Sequence, residues 1–384
     1  MEQNTPAQVQ SVRVQGYTHR RYRETIEDMR RLQNDPRLQA IAGAVVIGVS
    51  LWALSRSAAD DHTPVHANPS GRGREARTPE QIPARGLLDV LYRTYNEVLD
   101  DRVMLVSAGV AFYLFLSIFP ALAGLVSLYA LIADPGDISH HLRDVGIFLP
   151  TGAFQLFADQ IEVLAKRNDN TLGFTFFIGL GVAIWGTHRG TMAIFDAMNI
   201  AYEEEEKRGF ISLNLLGLAF TAAGIFASVA MVGLIAILPV ALTYIWLDQD
   251  IERAALILRW PLLLAFVLVG SSAVYRLGPS RQPAKIRWIT WGAALTTVGW
   301  CGMSVGFSIY LDHFANYSAT YGTLGVLIGF LAWLWLSIAI LFIGGELNAE
   351  LEHQTEQDTT TGRPRPMGAR GAYVADTVGE TVDR

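Results

Sequence analysis

The chain has 384 residues, of which 51% are hydrophobic and 17% are charged, and its formal net charge is −6. A soluble domain usually has about a quarter of its residues charged, so this composition argues against an ordinary soluble enzyme. The acidic balance also argues against nucleic acid as the main partner, because neutralising a phosphate backbone requires a basic surface. Cys301 is the single cysteine, which excludes a disulfide within one chain.

Polar residues are concentrated at the ends of the chain. Residues 1–37 form a polar, arginine-rich segment, residues 55–86 are rich in Pro, Gly and charge, and residues 353–384 are again polar. Such compositions bury too little apolar surface to form a core, so we predict a flexible linker over 55–86 and a disordered tail over 353–384. Residues 38–54 are apolar but short, and they predict an extra transmembrane helix, with an interfacial or re-entrant helix as the alternative.

The region 87–352 contains six apolar stretches that are long enough to cross a bilayer, which takes about 20 residues each. We therefore predict an all-α fold, a polytopic transmembrane helix bundle with six core spans and the segment 38–54 as a candidate seventh. Pro120 and Pro261 fall inside the first and fourth spans and predict helix kinks there. The predicted spans cover 103–133, 172–202, 213–238, 254–275, 288–314 and 324–347.

An amphipathic stretch over 86–102 precedes the first span and predicts a helix along the membrane surface. Most Lys and Arg residues of the connections fall on the same side of the membrane as this stretch. Since basic residues accumulate on the cytoplasmic side, we expect both ends of the six-span core to lie in the cytoplasm.

Polar side chains recur on one face of the second predicted span. Arg189, Asp196 and Asn199 follow one another at steps of seven and three residues, which places them on one helical face. Charges at the edge of an apolar span are costly and usually pair inside the bundle. The pattern predicts either a polar path with substrate contacts or a structural network that fastens the helix ends.

Glu346 in the sixth span is a further member of this predicted polar network. It lies at the same side of the membrane as Arg276 at the end of the fourth span, and we predict that Glu346 pairs with Arg189 or Arg276. Asp100, Asp101 and Arg102, at the start of the first span, are expected in the same layer. Glu350 and His353 continue the Glu346 face, and we expect them to lie in water.

On the opposite side, the connection between the last two spans carries a second polar group. We predict an outer vestibule there, or alternatively an interfacial belt in which the tyrosine rings anchor the protein. The spacing of the histidines and acids supports no metal site, no catalytic residue and no cofactor. The vestibule residues are Asp312, His313, Asn316, Tyr317 and Tyr321.

Several strings occur in the order found in one known family. They are DDRVMLVSAGVAFYLFLSIFPAL, WGTHRGTMAIFDAMNIAYEEEEKRGF, VYRLGPSR and YSATYGTLGVLIGFLAWLWLSIAILFIGGELNAELE. Over roughly residues 87–352 the chain resembles the YihY/virulence factor BrkB family of bacterial inner-membrane proteins, some of which carry the older label ribonuclease BN. The resemblance implies a multi-pass protein of the inner, plasma membrane, and it supplies no mechanism.

Two functions remain open at this point. The charged groups in apolar spans favour a transporter or permease-like protein in the lipid bilayer that handles an anionic or lipid-like substrate. The alternative is a non-catalytic membrane scaffold in envelope integrity or virulence. Ribonuclease activity is not expected, because metal-dependent hydrolysis requires clustered ligands. The sequence does not specify an oligomeric state.

Overall fold

The computed structural model describes residues 71–132, 172–232, 234, 249–313 and 324–381. Within these ranges the chain is helical and contains no named strand. The predicted segments 1–37 and 38–54 lie outside the described residues. The α-helices are α1 Ala84–Asp100, α2 Val103–Ile132, α3 Leu172–Ala201, α4 Phe210–Val232, α5 Gln249–Leu277, α6 Ile286–His313, α7 Leu324–His353 and α8 Tyr373–Asp376, and a 3-10 helix covers Pro79–Gln81.

Helices α2 to α7 have 23 to 30 residues each, and they lie where the apolar stretches predict spans. The all-α membrane fold is therefore confirmed. In the described part of the chain, four helices contain a stretch long and apolar enough to cross a membrane, or up to five if α1 and the first part of α2 form one bent span. The exact number of six crossings stays a prediction.

Pro120 lies inside α2 and Pro261 inside α5, and both helices continue through their proline. In a membrane-spanning helix this is tolerated because neighbouring helices and hydroxyl side chains can satisfy the freed carbonyl groups. The predicted kinks at these two positions stay a prediction.

Helix α7 is the centre of the bundle and contacts α1, α2, α3, α5, α6 and α8, while the most extensive contact joins α2 to α3. Glycines allow two of these pairs to approach closely. A Cβ at Gly190 on α3 would lie 2.7 Å from Leu114 Cδ2 on α2, and a Cβ at Gly292 on α6 would lie 2.0 Å from the carbonyl oxygen of Gly344 on α7. Small residues at these positions thus set the distance between the helices.

One end of the bundle is covered by four segments that we call the polar cap, residues 71–83, 202–209, 278–285 and 354–381. Gln354 donates a hydrogen bond to the Arg72 carbonyl (2.8 Å). Thr355 Oγ1 donates to the carbonyl of Ala76 (2.6 Å). The N-terminal and C-terminal parts of the cap are thereby joined.

The cap corrects two predictions made from composition. Residues 71–86, the described part of the predicted linker, are packed, and Ala76 and Ile82 are buried. Residues 354–381, the greater part of the predicted disordered tail, are ordered as well. Their local composition is too polar for a core of its own, but their backbone groups are satisfied by side chains from distant segments, which composition does not register.

Arg370 shows how a polar tail segment can be buried. Its guanidinium is 5% exposed and donates hydrogen bonds to backbone carbonyl groups of the same segment, while the Asp376 carboxylate accepts from the backbone N–H groups of Gly368 and Arg370 (2.7 and 3.0 Å). The segment therefore folds around buried charged side chains, while Val374 joins it to the apolar core of the bundle. The carbonyl acceptors of Arg370 belong to Glu356, Gln357, Arg365 and Ala375.

Candidate functional site

The candidate site is a pair of carboxyl groups where α7 meets the junction of α1 and α2. Glu346 on α7 is 2% exposed, and it lines the same small cavity as the half-buried Asp101, which follows the last residue of α1. Two carboxyl groups that share a site are not both ionised at low cost. The arrangement is therefore a candidate proton-binding pair.

The pair borders a small cavity of about 10 Å³, roughly the space of one water molecule. Apart from the two carboxyl groups the lining is apolar. Among the residues that the structure describes, no basic side chain lines the cavity. The apolar lining consists of Val103, Val106, Ala197, Ile200 and Phe342.

The basic side chain that reaches α7 one turn after Glu346 is already engaged. Arg93 on α1 forms an ion pair with Glu350, one turn after Glu346, and it also donates a hydrogen bond to the Gln354 side chain (2.8 Å). Both members of the ion pair are buried. The prediction that Glu350 lies in water is therefore wrong, because α1 covers this face of α7 and supplies the guanidinium.

Asn199 connects the end of α3 to the cap. Its side-chain oxygen accepts from the backbone N–H of Ser280 (2.7 Å), and its amide nitrogen donates to Glu206 (3.1 Å). Hydrogen bonds from Arg208 lower the pKa of Glu206 to about 2. Asn199 thus joins α3 to the cap, and the role of the predicted network stays a prediction.

The other predicted members of the network are separate from Glu346. Arg189 and Asp196 are exposed on the outward side of α3, and the Arg189 guanidinium lies over the Trp185 ring, 5.8 Å from its centre. Arg276 is half-buried at the end of α5. The structure does not bring Glu346 to Arg189 or Arg276. The predicted pairing is replaced by the carboxyl pair with Asp101, because the rotation of α3 turns Arg189 outward.

The predicted outer vestibule is not described by the structure. Asp312 and His313 end α6, but their side chains lie outside the described residues, and so do Asn316, Tyr317 and Tyr321. The vestibule stays a prediction.

A buried ion pair that sequence reasoning missed lies in the cap. Arg281 Nη2 is 2.6 Å from Glu352 Oε2, and the two side chains are 1% and 0% exposed. Burial alone would lower the pKa of Arg281, but the Glu352 carboxylate raises it. The Arg281 guanidinium also lies 4.8 Å from the centre of the Tyr202 ring. The sequence signal for this ion pair was Glu352 itself, which lies six residues after Glu346 in a helix that continues beyond the predicted span.

Comparison with known proteins places the chain in a family. The sequence model described as Virulence factor BrkB matches residues 94–368. The ribonuclease-like protein YfkH of Bacillus subtilis is 31% identical over 254 residues, which cover 64% of this chain and 88% of YfkH. A UPF0761 membrane protein of Vibrio cholerae is 26% identical over 289 residues, which cover 70% of this chain and 90% of that protein.

A UPF0761 membrane protein of Pseudoalteromonas translucida is 22% identical over 276 residues, 69% of this chain and 86% of that protein. No solved structure matches the chain. The family match covers α2 to α7 and most of the cap, so it includes Asp101 and Glu346. The chain belongs to the virulence factor BrkB family of membrane proteins.

Proposed function

We propose that the protein is a transporter or permease-like protein of the bacterial inner membrane, and that its transport cycle includes protonation of the Asp101–Glu346 pair. The observation that carries the proposal is the buried Glu346 beside the half-buried Asp101, in a cavity that no basic side chain of the described residues lines. Buried acids in membrane bundles are expensive and typically belong to ion or proton pathways. A pair that shares one proton can bind and release it as its surroundings change.

The orientation of the bundle belongs to the same proposal. The basic residues of the connections favour a cytoplasmic location for the cap. The carboxyl pair then lies at the cytoplasmic end of the bundle, where it exchanges protons with the cell interior through the boundary between α1 and α7.

An anionic or lipid-like substrate is supported by the outward face of α3. Arg189 and Trp185 are both exposed there, and a guanidinium stacked on an indole ring can bind a phosphate or carboxylate while the ring contacts acyl chains. Asp196 lies two turns further along the same helix. This face is the proposed contact of the substrate, and the carboxyl pair is the proposed coupling group.

Ribonuclease chemistry is not part of the proposal, although the name of YfkH contains the word. In the ranges that the structure describes, no three His, Cys, Asp or Glu side chains are grouped to hold a metal ion. Metal-dependent hydrolysis of RNA depends on such a group.

The test is flux through purified protein in liposomes. Vesicles that contain a pH-sensitive dye report proton movement, and a phosphatidylglycerol with a fluorescent label on its acyl chain reports lipid movement through dithionite quenching. We expect protein-dependent flux that Glu346→Gln abolishes and that Glu205→Gln, a change at an exposed cap residue, leaves unchanged.

Arg189→Ala separates substrate contact from coupling. It should reduce movement of labelled phosphatidylglycerol more than that of labelled phosphatidylcholine, because only the first has a net negative headgroup. Folded wild-type protein that moves neither protons, nor either lipid, nor a panel of small organic anions would refute the transport proposal and favour the scaffold function.

A further inference from the structure

Helix α1 exposes a large apolar face, whereas its buried face includes charged side chains. Five large side chains on its outer side are between 51% and 65% exposed. They follow the spacing of one helical face. We call them the α1 stripe, and they are Leu88, Leu91, Tyr92, Tyr95 and Leu99.

The inner face of α1 carries charged and polar groups beside Val90, which is buried in an apolar cluster. Asp89 pairs with Arg72 of the cap (2.7 Å), and Arg93 pairs with Glu350 of α7. Thr94 is buried as well. These contacts fix the rotation of α1 about its axis, so the stripe has to face away from the protein.

The position of α1 in the chain determines which surroundings the α1 stripe contacts. Two residues after its end the chain enters α2, and the two helices are bent by 58° relative to each other. Arg102 makes the bend with a φ of 52°, a left-handed conformation that L-residues adopt mainly in turns. The stripe therefore lies beside the point where α2 enters the bilayer.

We infer that α1 lies in the lipid interface of the membrane leaflet next to the cap, with the α1 stripe among the upper acyl chains. The tyrosine rings fit this depth, because tyrosine is enriched at membrane–water boundaries. The occupant of the stripe is lipid, since the stripe is continuous with the lipid-facing surface of a helix that enters the bilayer.

Attachment is by apolar burial and does not depend on the charge of the lipid. The exposed charged residues at the two ends of α1 are of both signs, Arg85 at the start and Asp100 and Arg102 at the end. A basic amphipathic helix would instead bind anionic lipid through its charges.

The experiment labels introduced cysteines, which is simple because Cys301 is the single cysteine of the chain and can be replaced. In a Cys301→Ser background, a spin label at Leu91→Cys is compared with one at Glu205→Cys, an exposed position in the cap, with full-length protein in liposomes. We expect the label at position 91 to be accessible to oxygen and protected from a water-soluble nickel complex, at a depth just below the headgroups, whereas the label at position 205 is accessible to the nickel complex.

The depth at position 91 should be the same in phosphatidylcholine with and without phosphatidylglycerol, and at low and high salt. Tyr95→Cys repeats the measurement one turn further along the stripe. Free access of the nickel complex to both stripe positions would overturn the inference. So would a depth near the bilayer centre, which indicates a broken span, or a short distance between labels of two protein copies, which indicates that a second copy covers the stripe.

Discussion

The buried ion pair between Arg281 and Glu352 gives the sharpest stability prediction. Replacing Glu352 by Gln leaves the Arg281 guanidinium unpaired in a place where the two side chains are 1% and 0% exposed. Removing one member of a buried pair costs about 3–5 kcal/mol. For a chain of this size each kcal/mol shifts the unfolding midpoint by about 2 °C, so we expect Tm to fall by about 6–10 °C.

The assay is thermal unfolding of detergent-purified protein, followed by fluorescence-detected size exclusion. Lys207→Gln is the matched control, because Lys207 pairs with Glu204 in the same cap but is 59% exposed, and loss of such a pair costs at most about 1 kcal/mol. The double variant Glu352→Gln with Arg281→Met should recover most of the lost stability, since neither charge then remains buried and unpaired.

A Tm for Glu352→Gln equal to that of the Lys207→Gln control would refute the reasoning. A double variant that loses the sum of the two single effects would refute it as well, because it would show that the two side chains contribute independently.

Three further predictions concern the cap and the helix contacts. Folding lowers the pKa of Glu206 from 4.5 to about 2, so on acidification this carboxylate is protonated in the unfolded chain before it is protonated in the folded one. The contribution of Glu206 to stability is therefore complete above pH 4.5 and is lost as the pH falls towards about 2. Glu206→Gln should flatten the fall of Tm over this range. Deleting residues 354–384 removes hydrogen-bond partners of buried charged groups, and each such hydrogen bond contributes about 1.5–3 kcal/mol to stability. We expect loss of monodisperse protein or a Tm lower by more than about 10 °C. Retention of the wild-type Tm would show that the segment is dispensable for stability. Gly292→Ala places a Cβ 2.0 Å from the Gly344 carbonyl oxygen and should separate α6 from α7, at a cost of about 3 kcal/mol or more. The control Gly302→Ala on the same helix meets nothing within 4 Å and should leave Tm within about 2 °C of wild type. Equal Tm values for the two variants would contradict the close approach of α6 and α7.

The elements of the fold could be predicted from local sequence. Each apolar run from Val103 onward predicted a helix that the structure contains, because a segment in hydrocarbon must satisfy its own backbone hydrogen bonds. The amphipathic pattern before the first span likewise predicted α1. The ends of the helices were less predictable, since α7 continues to His353, six residues beyond the apolar run, where Glu350 and Glu352 find arginine partners.

The candidate site could be predicted only in part. The layer in which Asp101 and Glu346 meet followed from the topology, since both residues lie at the same end of their helices. The partner of Glu346 did not follow from the sequence. Whether a charged side chain of another helix faces Glu346 depends on the rotation of that helix about its axis, which the sequence does not give. Arg189 lies on the outward side of α3 and therefore does not reach Glu346.

The sequence by itself determined which segments are apolar enough to form membrane helices, because hydropathy is a property of each segment alone. The tertiary structure decided which charges are paired, that residues 354–381 are packed, and which face of α1 is turned outward. These features depend on contacts between residues far apart in the chain, such as Arg93 with Glu350 and Arg281 with Glu352. The free energy of a buried charge is set by its neighbours in space, and no local pattern specifies them.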